Sequence, residues 1–322
     1  MSDRKRLLGN MASLFTLQGA NYLLPLITLP YLVRVLGPEK FGLIAFAQAF
    51  IQYFVVLTDY GFNLSATREV AVHRKDPVKL GAIISSVLLI KIGLMFGGML
   101  LLGILVYFVP TFHSHWALFL VIYLTVLGST FFPTWLFQGL ERMRDITWMN
   151  VAARLVTTAA IFLFIRNPSD YLIAAGIQSI PVLLAAVPAW WVLGRKNAFI
   201  IARPGIGDVR AQMSSGWHVF LSTAAINVYT SSNTFVLGLI AGPVAVGYFS
   251  AANKVVQAVQ GLLTPVTQTL YPHISSLAHK SQDAALAFIR KVLRGMAVGG
   301  LILSLLLYWS AQPIVSLVLG PQ

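Results

Sequence analysis

Residues 35–52 read VLGPEKFGLIAFAQAFIQ, and residues 240–257, which lie 205 positions further along the chain, read IAGPVAVGYFSAANKVVQ. The identical pairs are Gly37/Gly242, Pro38/Pro243, Gly42/Gly247, Ala47/Ala252 and Gln52/Gln257. Glycine and proline recur where backbone geometry, rather than side-chain volume, dictates the residue. Two unrelated outer turns of a membrane protein could also look alike, because both residues are common there. The repeat nevertheless predicts a membrane protein of two structurally repeated halves, a common plan among transporters.

The composition is that of an integral membrane protein. Of the 322 residues, 57% are hydrophobic and 10% are charged, and the mean hydropathy is +0.77. Since a soluble domain carries about a quarter charged residues, the chain is not a soluble globule. It contains no cysteine, which excludes disulfides, thiolate metal sites and cysteine nucleophiles.

Nine apolar segments are long enough to cross about 30 Å of hydrocarbon. They cover residues 11–33, 40–60, 80–109, 116–139, 146–165, 171–193, 215–240, 244–271 and 292–319. Pro25 and Pro30 predict a bend in the first segment. The predicted fold is all-α, with a six-helix N-terminal lobe (1–200) and the first three helices of a second, repeated lobe (201–322). Because residues 318–321 repeat the Val-Leu-Gly-Pro of 35–38, we expect a further span to follow and the sequence to be truncated.

The basic residues predict the orientation of the chain in the membrane. With a cytoplasmic N-terminus, the inner segments hold 17 of the 23 Lys and Arg residues, the outer segments three and the spans three. An excess of Lys and Arg in cytoplasmic loops is typical of membrane proteins. The formal net charge of +13 is thus explained by topology, and no nucleic-acid partner is predicted.

Charged and amide side chains within the spans are the candidate functional residues. An ionisable side chain at membrane depth is costly unless it faces water, a partner or a ligand. Lys254 lies about 15 Å deep at 1.5 Å per residue, Lys91 lies at comparable depth, and Arg154 lies nearer the cytoplasm, where its side chain could reach the surface. Asp59 ends a span and either caps the next segment or pairs with a span cation. Asn21 either lines a cavity or joins neighbouring helices.

Signatures of catalysis and metal binding are missing from the sequence. The six histidines fall in loops or at span ends, and the pair His113 and His115 stands beside Trp116, where an interfacial position explains it. Asp and Glu total ten, and there is no Gly-rich phosphate loop. The sequence therefore predicts a protein that is not an enzyme and has no cofactor, metal site or catalytic residues.

Several segments along the chain resemble one family of bacterial membrane proteins. They are NYLLPL (21–26), PYLVRVLGP (30–38), DYGFNL (59–64), WLFQGLERM (135–143) and QGLLTP (260–265) followed by Tyr271 and Pro272. On these segments the chain resembles the O-antigen flippases of the multidrug/oligosaccharidyl-lipid/polysaccharide exporter superfamily. The resemblance implies two six-helix lobes in the bacterial inner membrane. It also implies alternating access that moves undecaprenyl-diphosphate-linked oligosaccharide from the cytoplasmic to the periplasmic leaflet.

The resemblance further implies a site and partners. In related lipid II flippases a cavity cation follows a run of small residues, and residues 248–254 have that form, with Lys254 in place of the usual arginine. We therefore expect Lys254, Lys91, Asn21 and Arg154 to bind substrate and Asp59 to act in ion coupling or gating. The implied partners are the lipid-linked oligosaccharide diphosphate, membrane lipid, a coupling ion (H⁺ or Na⁺), a polysaccharide polymerase and a chain-length regulator.

Three other functions stay open at this point. A drug–cation antiporter of the same superfamily needs acidic residues in its spans, whereas the deep charges here are basic. A polysaccharide polymerase or ligase needs a large outer loop with catalytic residues, and the predicted outer loops are only a few residues long. A scaffold that transports nothing is the third alternative, because the second lobe is incomplete.

Overall fold

The computed structural model describes residues 3–195, 203–261 and 282–319, apart from the side chains of 3–18, 20–22, 282–285, 291, 314 and 317–319. These residues form helices and the short segments that connect them, and contain no strand. The predicted all-α architecture is thereby confirmed.

Thirteen α-helices follow one another along the described residues. In chain order they are α1 (Asp3–Asp59), α2 (Ser65–His73), α3 (Pro77–Phe108), α4 (Pro110–His113), α5 (Trp116–Ile122), α6 (Leu124–Phe131), α7 (Thr134–Gly139), α8 (Met143–Phe164), α9 (Tyr171–Ser179), α10 (Pro181–Arg195), α11 (Ile206–Gly261), α12 (Gln282–Trp309) and α13 (Ala311–Leu319). A 3₁₀ turn at Pro168–Asp170 connects α8 to α9.

Seven helical stretches of the described residues are long and apolar enough to cross a membrane. They are Leu23–Asp59, Pro77–Phe108, Trp116–Gly139, Met143–Phe164, Pro168–Arg195, Ile206–Gly261 and Leu286–Trp309. This confirms a multi-pass membrane protein. Nine spans were predicted, and the difference arises because α1 covers the first two and α11 covers the seventh and the described part of the eighth. The number nine stays a prediction.

The two longest helices each contain one break, and the breaks lie at equivalent positions of the sequence repeat. Gly37 in α1 has φ 75° and ψ 162°, and Gly242 in α11 has φ 78° and ψ 179°. This combination of angles is essentially restricted to glycine, and in both helices a proline follows it. Pro25 and Pro30, from which a bend was predicted, remain inside α1, whose non-helical angles fall at Gly37 instead.

The two breaks bring α1 and α11 into close, reciprocal contact. A Cβ atom on Gly42 would overlap the carbonyl oxygen of Pro243, and a Cβ atom on Gly247 would overlap the carbonyl oxygen of Pro38. Gly42 is the repeat equivalent of Gly247, as Pro38 is of Pro243, so the contact has the form of one across a two-fold axis. We call these four residues the Gly–Pro crossing. Only glycine permits so close an approach of backbone to backbone.

A second contact joins the same two helices near the end of α1. The rings of Tyr60 and Phe220 stack with centroids 5.1 Å apart and planes 11° apart, and Trp217 lies 5.8 Å from Phe220. A Cβ atom on Gly216 would lie 2.7 Å from the carbonyl oxygen of Tyr60. We call Tyr60, Trp217 and Phe220 the aromatic contact. Between these two places the same helices also touch, where Phe235 of α11 stacks on Phe46 and Phe50 of α1 with ring centroids 5.3 Å apart in both pairs.

The segment WLFQG packs inside the protein. Trp135, Leu136 and Phe137 are 1% exposed or less, and a Cβ atom on Gly139 would lie 2.8 Å from the carbonyl oxygen of Thr67 in α2. This part of the family resemblance therefore holds α7 against α2, and α2 itself follows directly from the turn that carries Tyr60.

Candidate functional site

Two cations from distant parts of the sequence line one cavity. Arg154 of α8 and Lys254 of α11 both border a cavity of about 290 Å³, together with Gln48 of α1 and Gln178 of α9. We call it the cation cavity. The Lys254 Nζ atom lies 5.1 Å from the ring centroid of Phe41. Among the described residues, neither cation makes a salt bridge or a side-chain hydrogen bond. Two cations in one cavity, neither with a counter-charge among the described residues, favour an anionic ligand.

An adjoining cavity of about 360 Å³ is lined mainly by uncharged polar side chains. We call it the polar cavity. Its polar lining comes from one face of each of three helical segments: Gln48 and Gln52 of α1; Asn227, Thr230, Ser231 and Thr234 before the break in α11; and Ser250, Asn253, Lys254 and Gln257 after it. Residues at i, i+3, i+4 and i+7 share one face of a helix. Both four-residue sets in α11 have this spacing, which explains why they converge on a single space.

A third cavity, of about 240 Å³, contains an ion pair. Lys91 of α3 lies with its Nζ atom 3.4 Å from Oδ1 of Asp59 and donates a 2.8 Å hydrogen bond to the carbonyl oxygen of Ser129. Asn63 donates a 2.8 Å hydrogen bond to the other carboxylate oxygen of Asp59. The Lys91 side chain is 2% exposed and that of Asp59 17%. The charges of this pair are therefore balanced within the protein, unlike those of the cation cavity.

The three cavities form a series along the interface of α1 and α11. Lys254, Gln48 and Gln257 border both the cation cavity and the polar cavity. Gln52 and Asn227 border both the polar cavity and the third cavity. Along α1 the lining runs from Leu24 to Thr28 and, beyond the Gly–Pro crossing, from Ala45 to Asp59 next to the aromatic contact. Along α1, the polar cavity and the third cavity thus lie between the Gly–Pro crossing and the aromatic contact.

The structure places the predicted site residues in two groups. Lys254 and Arg154 meet in the cation cavity, whereas Lys91 lies in the third cavity and pairs with Asp59. Asp59, a candidate partner of Lys254, is therefore the partner of Lys91. The side chain of Asn21 lies outside the described residues.

Sequence reasoning missed the uncharged lining of the polar cavity. Its signal was nonetheless present, since Asn227, Thr230, Ser231 and Thr234 recur at helical spacing within an otherwise apolar segment. Short polar side chains in membrane helices commonly serve helix–helix packing, so this spacing alone does not distinguish a cavity lining from a packing contact.

Comparisons with known proteins agree on one family. A family described as "Polysaccharide biosynthesis protein" matches residues 7–278. A protein of Escherichia coli (strain K12) that carries the provisional name O-antigen transporter is 36% identical over 312 residues, which cover 97% of this chain and 75% of the relative. A protein of Shigella dysenteriae with the same provisional name is 32% identical over 268 residues, covering 83% of this chain and 67% of the relative. No solved structure matches significantly.

Proposed function

The chain belongs to the polysaccharide biosynthesis protein family, and on that premise we propose that it moves lipid-linked oligosaccharide diphosphates from the cytoplasmic to the periplasmic leaflet of the bacterial inner membrane. The family and the names of the relatives support a role in transport of polysaccharide or O-antigen units. The proposal of a diphosphate cargo rests on one observation: Arg154 and Lys254 line the same cavity, and neither has a counter-charge among the described residues.

The chemistry of the cargo explains why a cationic cavity is needed. The diphosphate and the sugars of such a lipid cannot cross hydrocarbon unaided, whereas the polyprenyl tail can stay in lipid throughout. In this proposal the diphosphate binds in the cation cavity. The Arg154 guanidinium offers planar, bidentate hydrogen bonds to phosphate oxygens, and the Lys254 ammonium adds a point charge. The undecaprenyl tail leaves sideways into the bilayer.

The proposal of alternating access rests on the Gly–Pro crossing and the aromatic contact, which lie at opposite ends of the interface between α1 and α11. We propose that the lobes 1–200 and 201–322 rock against each other, as repeated halves do in other transporters. Separation at the aromatic contact opens the cavities to one side of the membrane, and separation at the Gly–Pro crossing opens them to the other. With the N-terminus in the cytoplasm, the aromatic contact is the inner of the two.

Net transport also needs an energy source and proteins that use the exported units. The Asp59 carboxylate, which borders the third cavity beside Lys91, is the proposed site of H⁺ or Na⁺ coupling, and the membrane potential acting on the charged headgroup is the other source. A polysaccharide polymerase and a chain-length regulator are the proposed partners that use the exported units. No catalytic step is assigned to the chain itself.

Substitution of Lys254 tests the proposal. Lys254→Ala removes a cation from the cavity and is expected to abolish export of surface polysaccharide, while the amount of protein in the membrane stays at the wild-type level. Lys254→Arg keeps the charge and is expected to retain much of the export. Lys40→Ala is the matched control, because the Lys40 ammonium also lies over an aromatic ring, 5.4 Å from the centroid of Tyr171, but borders none of the three cavities.

Export is measured from the polysaccharide on the cell surface, together with the lipid-linked units that accumulate inside. Normal export by Lys254→Ala at equal expression would show that the cation is structural and would refute the proposal.

A further inference from the structure

We propose that the polar cavity is a sugar-binding subsite, which binds the saccharide next to the diphosphate. This inference rests on the proposed function, because it takes the cation cavity as the place of the diphosphate. Lys254 and Gln257 border both cavities, so a sugar attached to a diphosphate in the first cavity has the second cavity as its adjoining space.

The lining has the chemistry that a sugar requires. Three carboxamides of the lining, those of Gln52, Asn253 and Gln257, each offer a donor and an acceptor, and the hydroxyl groups of a sugar likewise donate and accept. Among the described residues that border the cavity, Lys254 is the charged one and lies where the two cavities meet. The volume of about 360 Å³ falls within the range of about 300–1,000 Å³ that is usual for small-molecule sites.

The hydrogen-bonding groups in this lining are available to a ligand. Within the described part of the chain, the side chains of Gln52, Asn253 and Gln257 make no hydrogen bond. Polar groups left without partners at membrane depth are costly. The helices already satisfy their own backbone groups, so the fold does not require these side chains. A polyhydroxylated ligand satisfies them together.

Other polar side chains of the lining already donate hydrogen bonds to the backbone of their own helix, so fewer residues are left to bind a sugar. Asn227 donates a 3.0 Å hydrogen bond to the carbonyl oxygen of Thr223, and Thr230 donates a 2.9 Å hydrogen bond to that of Ile226. Recognition is therefore assigned chiefly to Gln52 of α1 and to Asn253 and Gln257 of α11.

Equilibrium binding to the purified protein in lipid nanodiscs tests the subsite with two probes. One is undecaprenyl diphosphate, which has no sugar, and the other is the lipid-linked repeat unit extracted from cells that lack the transporter. The wild type is expected to bind the repeat unit at least about tenfold more tightly, because each hydrogen bond to sugar adds to the affinity. Gln52→Leu and Asn253→Leu are each expected to lower this preference about five- to tenfold and to leave binding of the bare lipid within about twofold of wild type.

Two further variants keep the result interpretable. Asn233→Leu makes the same amide-to-alkyl change at an exposed position of α11 that borders none of the three cavities, and it is expected to leave both affinities unchanged. Thr234→Val is nearly isosteric and removes only a hydroxyl group from the lining. Thr234→Val is expected to lower the preference for the repeat unit over the bare lipid less than the amide variants do. It replaces either amide variant in the test if that variant fails to fold.

The outcomes separate the subsite from the proposed function. Equal affinity of the wild type for the two probes would overturn the subsite and leave the cation cavity standing, as would amide variants that weaken both probes to the same extent. Lys254→Ala is expected to weaken both probes alike. If the wild type bound neither probe, the proposed function would fall, and the subsite with it.

Discussion

Replacement of Gly42 by alanine tests whether α1 and α11 meet at the Gly–Pro crossing. The new Cβ atom would overlap the carbonyl oxygen of Pro243, and a backbone carbonyl cannot turn aside as a flexible side chain can. The two helices must therefore separate. Overpacking of a close contact costs about 1–3 kcal/mol, and because the obstacle is backbone we expect about 3 kcal/mol, a change on the order of 100-fold in the folding equilibrium.

The matched control makes the same chemical change where there is room. Gly97 lies in α3, and a Cβ atom built on it meets no other atom within 4 Å. In a helix, alanine is about 0.5–1 kcal/mol more favourable than glycine, so Gly97→Ala is expected to be neutral or stabilising. Gly247→Ala should resemble Gly42→Ala, because its Cβ atom would overlap the carbonyl oxygen of Pro38. The double variant at 42 and 247 should cost less than the two single costs together, since the helices separate only once.

The measurement is the midpoint of thermal unfolding in detergent, followed by size-exclusion chromatography of the surviving protein. We expect the midpoint of Gly42→Ala to fall well below that of the wild type and that of Gly97→Ala to stay at or above it. Equal midpoints for Gly42→Ala and Gly97→Ala would refute the reasoning, because the crossing would then have space for a side chain.

Two other predictions concern the ion pair and the orientation of the chain. Asp59→Asn leaves Lys91 buried without its counter-charge, so it should destabilise the protein by about 3–5 kcal/mol, and Lys91→Met in the same molecule should restore part of the loss; a midpoint for Asp59→Asn equal to wild type would contradict this. A cysteine introduced at Arg142 should be shielded from a membrane-impermeant reagent in intact cells and one at His113 should react, because the basic loops are predicted to be cytoplasmic. The background contains no other cysteine, and the reverse pattern of labelling would overturn the orientation.

The sequence predicted the class of fold well because the bilayer imposes its own length and polarity on every span. The predicted boundaries between spans, at 33–40 and 240–244, also coincide with the breaks at Gly37 and Gly242, which adopt backbone angles that few other residues tolerate. The sequence did not predict which helices pack against each other. That α1 packs along α11 depends on how complete side-chain surfaces fit together, and no local pattern of apolar residues specifies such a fit.

The sequence identified individual candidate residues of the site, but not which of them lie together. The depth of Lys254 and Lys91 followed from their distance to the span ends, but their surroundings did not. Arg154 and Lys254 are 100 positions apart in the sequence and line the same cavity. Lys91 pairs with Asp59, which is 32 positions away. Both pairings are consequences of tertiary packing. Uncharged amides and hydroxyls were harder still, because the same side chains serve as contacts between helices in many membrane proteins.

The Gly–Pro crossing also implies a delay between synthesis and packing of α1, because its two halves come from distant parts of the chain. Gly42 and Gly247 are 205 residues apart, and at about 5–20 residues per second a ribosome needs about 10–40 s to cover that distance. During this interval the bare face of α1 around Gly42 has no partner from its own chain, although the first spans have already left the ribosome. The first half of the chain therefore enters the bilayer before the α11 residues that cover this part of α1 have been made, and α12 and α13 follow later still.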